Sequence, residues 1–322
     1  MHRRSGTLSA DSRQLSAVGP IPRNIRPDQA VRPRVRQQTV SVGSVELAAS
    51  VAGDVDCPAI ALLHGWPHSR ALYDPVVDKL GQRFHVIAFD LPAIGESRGA
   101  PPSAEKEQLA DLLLDAAERV GARSIIIAGI DVGGMIAFAA ARDHGARIRG
   151  AMIGNTVIPG LDPWQKIIAD PRIWHFAFHS VPELPELLVA GHERAYFDFF
   201  FDFLGSKKSP LPDHLRDRFA QAYARPDALK AGFDWYRAFA ADAQRNAKQR
   251  AIDTPILYFR GDADGRTPAD YVAGIEKAGA RNVRSATLAG TAEFTPVEVP
   301  EEFSELVASF ADHCLAEEAA NV

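Results

Sequence analysis

The stretch Gly129-Ile130-Asp131-Val132-Gly133-Gly134 sets one carboxylate between glycines, just after the apolar run Ile125 to Ala128. That run reads as a buried strand, and Ile136 to Arg142 reads as helix. A strand that turns sharply into a helix needs flanks without a Cβ, because a side chain there would meet the turn's own backbone. A carboxylate held at such a tip can attack an electrophilic carbon and form an ester. The competing reading of Asp131 is a helix N-cap, a place where Asp is favoured for its side-chain oxygen.

The chemistry needs a frame to hold it. Thr39 to Val51 alternates as a hairpin does. Ala59 to Leu63 is a short apolar run that reads as a buried strand, and Phe84 to Phe89, Ile148 to Ile153, Pro255 to Phe259 and Val283 to Leu288 read as further strands. Leu109 to Val120 and Pro300 to His313 have helical spacing. Strands buried on both faces and alternating with helices predict an α/β fold, a mostly parallel sheet with helices on both faces. Reactive groups in such sheets sit at the carboxyl ends of strands. His64, Asp90, Asp131 and Asn155 all fall at such ends.

Residues 158–250 differ in being helical in period, rich in aromatics and poor in strand pattern. Most of those aromatics are expected to pack with one another. A helical insertion between two strands of one sheet is also a cap, and a cap over strand ends encloses an apolar pocket. The organisation read from the chain is therefore a disordered arm at 1–37, a core at 38–157, a helical cap at 158–250 and the rest of the core at 251–322. The arm is rich in Arg, Ser, Gln and Pro and has no hydrophobic period, which predicts a solvated tail.

Composition narrows the function classes. A net charge of −5 argues against a general nucleic-acid binder. Two cysteines, Cys57 and Cys314, make neither a disulfide framework nor a zinc site, and no metal or organic cofactor is expected. No apolar run reaches the roughly 18 residues of a membrane span. Arg3-Arg4 is followed by no apolar segment of the roughly 7–15 residues in a secretory signal, so a cytoplasmic protein is expected.

Three features in order carry a family resemblance: His64-Gly65-Trp66-Pro67, Gly129-x-Asp131-x-Gly133-Gly134, and Trp235-Tyr236-Arg237 in the cap. Together, over about residues 38–312, they resemble the aspartate-nucleophile branch of the α/β-hydrolase superfamily, the epoxide hydrolases and the haloalkane or haloacetate dehalogenases. The resemblance implies an α/β-hydrolase fold with a helical cap inserted between strands. It implies that Asp131 is the nucleophile, that Pro67 is cis, and that the N–H groups of Trp66 and Val132 form the oxyanion hole. It also implies that Tyr236 is one of two cap acids assisting the leaving oxygen. In the place of the other stands His175, within Trp174-His175-Phe176-Ala177-Phe178-His179, with Tyr196 as a weaker alternative. His64, Pro67, Trp174, Phe176 and Trp235 are expected around the substrate, with His64 structural under the oxyanion loop.

The water step departs from the family. There a His after the last strand lies in Gly-His-Phe-x-Pro-x-Glu-x-Pro, oriented by an acid after an earlier strand. Here the motif reads Ala292-Glu293-Phe294-Thr295-Pro296-Val297-Glu298-Val299-Pro300, with Glu293 in the histidine's place. Asp264 matches the orienting acid, with Asp262 as the less favoured candidate. Burial beside Asp264 and Asp131 is expected to raise the Glu293 pKa toward neutrality.

Val132 and Met135 stand where haloacetate dehalogenases carry substrate-clamping arginines, and Val132 does not fit the halide-binding tryptophan of haloalkane dehalogenases. The expected substrate is thus an apolar or aromatic epoxide, with water as co-substrate. Two other readings stay open: an acid–base isomerase or cyclase, and a non-catalytic binder of a hydrophobic small molecule. The resemblance alone suggests a homodimer.

Overall fold

The computed structural model describes residues 35–320, with side chains described to residue 317. The arm expected at 1–37 lies outside them except for its last three residues. Of these, Arg36 and Gln37 already belong to the first strand.

Strands β1 (Arg36–Val42) and β2 (Val45–Ala52) form the expected hairpin. They are followed by β3 (Ala59–Leu63), α1 (Asp74–Leu80), β4 (His85–Phe89), α2 (Lys106–Arg119), β5 (Ile125–Ile130), α3 (Val132–Asp143) and β6 (Ile148–Gly154). The insertion then contributes α4 (Trp164–Ile168), α5 (Trp174–Ser180), α6 (Leu184–Val189), α7 (Glu193–Leu204), α8 (Asp213–Ala222), α9 (Pro226–Arg237) and α10 (Phe239–Asn246). The sheet resumes with β7 (Ile256–Gly261), α11 (Pro268–Lys277), β8 (Val283–Leu288), α12 (Thr295–Glu298) and α13 (Pro300–Ala320).

The eight strands make one sheet in the order β1-β2-β4-β3-β5-β6-β7-β8. Pairings β1·β2 and β2·β4 are antiparallel, and all the others are parallel. Strands β3, β4 and β5 are buried at every position, which is why they read as unbroken apolar runs rather than alternating ones. β8 closes an edge of the sheet and is exposed at three of its six positions.

Because β3, β5, β6 and β7 run parallel, their carboxyl ends lie together, and His64, Asp131, Asn155 and the segment after Gly261 are brought to one end of the sheet. α3 starts at Val132, immediately after Asp131 and four residues earlier than its apolar spacing predicts. Gly133 and Gly134 are thus inside the helix, not in a turn ahead of it. A Cβ on Gly133 would be driven into the Leu63 carbonyl oxygen, so glycine here lets α3 pack directly on β3. Among the described residues no helix is long and apolar enough to cross a membrane.

Candidate active site

Asp131 sits at the crossing from β5 to α3 with φ 54° and ψ −124°. That backbone is sparsely populated for a residue with a Cβ, and the surrounding sheet and helix hold it there. The side chain does not cap α3. Its Oδ1 accepts the Trp66 N–H at 2.7 Å, and the Val132 N–H also donates to the carboxylate. Gly65 makes room for this, because a Cβ there would be driven into Asp131 Oδ1. Burial raises the Asp131 pKa to about 6, against the pull of those two N–H donors and of the Lys106 cation.

The Trp66–Pro67 bond is cis, as the motif predicts. His64 is wholly buried beneath it. The Leu91 N–H donates to His64 Nε2 at 3.0 Å, so Nε2 is the unprotonated nitrogen and Nδ1–H donates to the Gly65 carbonyl at 2.8 Å. Burial lowers the His64 pKa to about 4, which keeps that tautomer neutral. Its work is to hold the loop that presents the Trp66 N–H. Asp90, also at a strand end, is spent on structure. It pairs with Arg70 and accepts the Arg70 and Glu96 N–H groups at 2.9 and 3.0 Å.

A cavity of about 750 Å³ opens above the strand ends. Asp131, Asn155, His175, Phe176, Arg260 and Glu293 line its inner part, and Arg172, Lys207, Lys208, Asp262, Asp264 and Arg266 are also in its wall. The wholly apolar enclosure expected from the cap's aromatics is therefore half right. Ile167, Ile173, Phe176 and Val157 supply an apolar side, and charged residues supply the rest.

Glu293 faces the same cavity as Asp131. Its backbone is fixed at both ends: its N–H donates to the Leu204 carbonyl at 3.2 Å, and its carbonyl accepts Asn155 Nδ2 at 3.0 Å. Asn155 Oδ1 in turn accepts the Gly261 N–H at 2.9 Å, so Asn155 ties the ends of β6 and β7 to the Glu293 loop. Burial and the charge on Asp131 hold the Glu293 pKa well above the usual carboxyl range, and Arg260 offsets this only in part. The two carboxyls therefore resist being charged together.

Four sequence expectations need correction. Asp264 does not orient Glu293. It is 42% exposed, pairs with Arg260 and Arg266, and reaches Glu293 only through its charge. The exchange of His for Glu explains this: a carboxylate has no reason to bind a second one, and arginines take its place. Asp262 accepts the Gly290 N–H and holds the loop instead. Trp174 does not face the substrate. It lies 42% exposed on the outside of the cap against Phe199 and Phe200, since one residue along a helix turns by about 100° and His175 takes the inner position. His64, Pro67 and Trp235 are not among the residues lining the cavity. Trp235 is buried with its ring edge-on to His64, at 6.3 Å between centroids.

His175 and Phe176 do line the cavity. His175 lies parallel to the Trp66 ring at 6.2 Å, and burial lowers its pKa to about 4, so it is neutral. Tyr236 is buried against Phe176 and His175, at 5.4 and 6.1 Å between centroids. Burial and then the Asp131 charge push its hydroxyl well above the usual phenol range, and Tyr236 itself is not among the residues lining the cavity. Tyr196 is occupied elsewhere, its hydroxyl 2.7 Å from His179 Nε2.

Sequence reasoning missed two buried cations. Arg260 lines the cavity with its guanidinium over Tyr271 at 4.8 Å. Its signal was a lone charge at the end of the apolar run Ile256 to Phe259. Lys106, at the start of α2, acts on Asp131 from the buried side, and nothing in its local sequence marks it. The reading also passed over Glu298, which accepts the Ser206 and Ala292 N–H groups at 2.9 and 2.5 Å and so joins two cavity loops. Among the described residues no group of three or more His, Cys, Asp or Glu could hold a metal ion.

Residues 58–294 match the family model described as the α/β hydrolase fold. A soluble epoxide hydrolase from Corynebacterium sp. is 24% identical over 253 residues, 75% of this chain and 86% of that protein. A pimeloyl-[acyl-carrier protein] methyl ester esterase from Yersinia enterocolitica is 25% identical over 280 residues, 83% of this chain and 97% of that protein. The crystal structure of wild-type Cfl2 from Burkholderia cenocepacia superposes with a TM-score of 0.79 at 28% identity, covering 88% of this chain and 97% of that one.

Proposed function

The chain belongs to the α/β hydrolase fold family, and from that premise we propose that it opens an epoxide through an ester on Asp131. The observation that carries this reading is the Asp131 carboxylate, gripped by the Trp66 and Val132 N–H groups at the floor of a cavity it shares with Glu293. The similarity to an epoxide hydrolase supports the choice of electrophile, and the similarity to an esterase supports hydrolysis more broadly.

The first step takes place with Asp131 ionised and Glu293 protonated. A carboxylate oxygen bonds to an epoxide carbon as the carbon–oxygen bond of the ring breaks. His175 and Tyr236 donate hydrogen bonds to the oxygen that is freed, and Glu293 supplies the proton that leaves it a hydroxyl. Asp131 is now a neutral ester, so the charge that held the Glu293 proton is gone and Glu293 stays ionised. In the second step Glu293 takes a proton from water as the water oxygen attacks the ester carbonyl. The Trp66 and Val132 N–H groups then stabilise the developing oxyanion. Collapse releases a diol, restores the Asp131 carboxylate and leaves the proton on Glu293. The substitution for histidine is thus compatible with turnover, because alkylation itself converts Glu293 from acid to base.

A second reading has one observation in its favour. A charged and a neutral carboxyl facing one cavity also suit proton shuffling without a covalent step, as an isomerase or cyclase requires. Styrene-type and fused aromatic epoxides, assayed for diol with intact-mass detection of the enzyme, separate the two. A transient mass gain lost in Asp131→Asn, together with diol, supports the ester route. A product of unchanged mass with no adduct in wild type or Glu293→Gln overturns it.

A further inference from the structure

The cavity wall continues onto the outside of the cap as a row of exposed rings. Phe203 belongs to the wall and is 44% exposed. Its ring stacks on Phe199, one turn back along α7, at 6.0 Å and 14° between planes. Phe199 is 51% exposed and meets the exposed Trp174 ring at 6.1 Å. Ile168, next to the wall residue Ile167, adds a fourth exposed apolar side chain. Exposed apolar side chains that adjoin one another mark contact surfaces, unlike those scattered singly. α6 also exposes Leu184, Leu187 and Leu188, but none of these lines the cavity.

Two cations follow just past the end of α7. Lys207 and Lys208 are in the same wall, are exposed, and make no ion pair among the described residues. The arginines of the wall are spent, Arg172 on Asp170, and Arg260 and Arg266 on Asp264. Asp202, beside Phe203 in the chain, is held by Arg216. Asp262 faces no arginine and accepts the Gly290 N–H. The charge left unpaired at the mouth, two lysines against Asp262, is therefore positive in a chain whose net charge is −5.

Exposed rings beside unpaired lysines favour one kind of partner. Protein–protein interfaces are depleted in lysine. At a bilayer surface aromatic rings settle at headgroup level, and lysines are drawn to anionic lipid. We propose that this rim docks on an anionic bilayer surface, with the Trp174, Phe199 and Phe203 rings among the headgroups and Lys207 and Lys208 against lipid phosphates. The contact lies on the membrane, since among the described residues no helix is long and apolar enough to cross it. It sets the mouth of the cavity where apolar molecules dissolve. Docking does not depend on what Asp131 attacks, so it is read without substrate.

The test is flotation of the full chain with vesicles of mixed phosphatidylcholine and phosphatidylglycerol, against phosphatidylcholine alone. Wild type should float with the anionic vesicles. Lys207→Gln/Lys208→Gln should bind about 25-fold more weakly, at about fivefold per lysine. Phe199→Ser, which is off the cavity wall, should bind about tenfold more weakly, with its fold checked by circular dichroism. Tryptophan fluorescence reads the placement, because Trp66, Trp164 and Trp235 are buried and Trp174 is exposed. Lipid with brominated acyl chains should quench wild type and leave Trp174→Phe unquenched. No flotation of wild type overturns the proposal. So does binding that persists in both rim variants, which would come from elsewhere on the chain, the arginines before β1 included. A wild-type dimer that Phe199→Ser dissociates, with no flotation, assigns the row to a second copy instead. Epoxide turnover enters none of these readings, so failure here leaves the reading of Asp131 untouched.

Discussion

Burial, and then the charge on Asp131 in the same cavity wall, raise the Glu293 pKa well above the usual carboxyl range. The two groups are therefore not interchangeable carboxylates but an acid and a nucleophile set apart by environment. The sequence of steps proposed here depends on that asymmetry reversing once Asp131 is esterified.

Glu293→Gln preserves the shape and neutrality of the resting acid but can neither give up a proton nor become a base, so ring opening slows to the extent that the freed oxygen must take its proton from solvent. The expected outcome is an alkyl-enzyme that accumulates. Diol formation falls by about 100-fold or more, in line with loss of a general base. Intact-mass spectrometry over minutes after mixing reads both. Glu293→His should hydrolyse the ester faster than Glu293→Gln, since imidazole has a suitable pKa. Its orientation would be imperfect, because Asp264 is committed to Arg260 and Arg266.

The pH dependence of ring opening follows from Asp131. Its pKa is raised to about 6, and only the ionised form attacks. The rate of adduct formation in Glu293→Gln, measured by rapid quench, should rise between pH 5 and 7 and then level. A rate independent of pH across that window would remove Asp131 as the titrating nucleophile.

Much of this could be read from the residues, and what could not has physical causes. The strands announced themselves because burial on both faces leaves no exposed position in β3, β4 or β5 and fills them almost wholly with apolar residues. Asp131 and the Trp66 N–H were legible because a tight crossing and a cis-proline loop need particular residues in a particular order. Asp264 misled because its motif matches the resembled family's acid while Glu293 stands in the place of that family's histidine, and a carboxylate without that partner binds arginine. Lys106 was invisible as a site residue, and Asn155 was placed at a strand end without the partner that gives it a role. Their roles come from contacts to residues more than 100 positions away, Asp242 and Glu293, and no local spacing encodes those. Tyr236 was read from its motif, but its packing on Phe239, over which the Lys106 ammonium lies, was not.

Stability should also respond to pH through the carboxyl pair. Both groups have folded-state pKa values above their unfolded ones, so the native state binds more protons than the unfolded chain across the interval between. Their contribution is fully present below the unfolded values and is lost as pH rises through the folded ones. Wild type should therefore lose melting temperature more steeply than Glu293→Gln as pH rises above about 6, and the two should converge as pH falls toward the ordinary carboxyl range. Thermal melts in matched buffers test this; parallel curves would mean that Glu293 is not held neutral by its surroundings.

Glu298 offers a prediction about the cavity's construction rather than its chemistry. It is a buried carboxylate that accepts the N–H groups of Ser206 and Ala292, and of Phe294. These bonds join the loop after α7, which carries Lys207 and Lys208, to the loop that carries Glu293. Glu298→Ala strands these donors and opens a void, at a cost of about 2–4 kcal/mol on the scale of unsatisfied buried groups. Glu298→Gln keeps an acceptor oxygen for part of the set and should cost about 1–2 kcal/mol. Because the Glu293 backbone also leans on Asn155 and Leu204, the loop should stay in place in Glu298→Gln. Ring opening, in which Glu293 only gives up a proton, should then slow little, while ester hydrolysis, which needs Glu293 aimed at a water, slows several-fold because the loop, though in place, is less firmly held. Urea melts give the first pair of numbers, and single-turnover decay of the adduct gives the second. Equal slowing of both chemical steps would mean that Glu298 supports the whole cavity and not the Glu293 loop in particular.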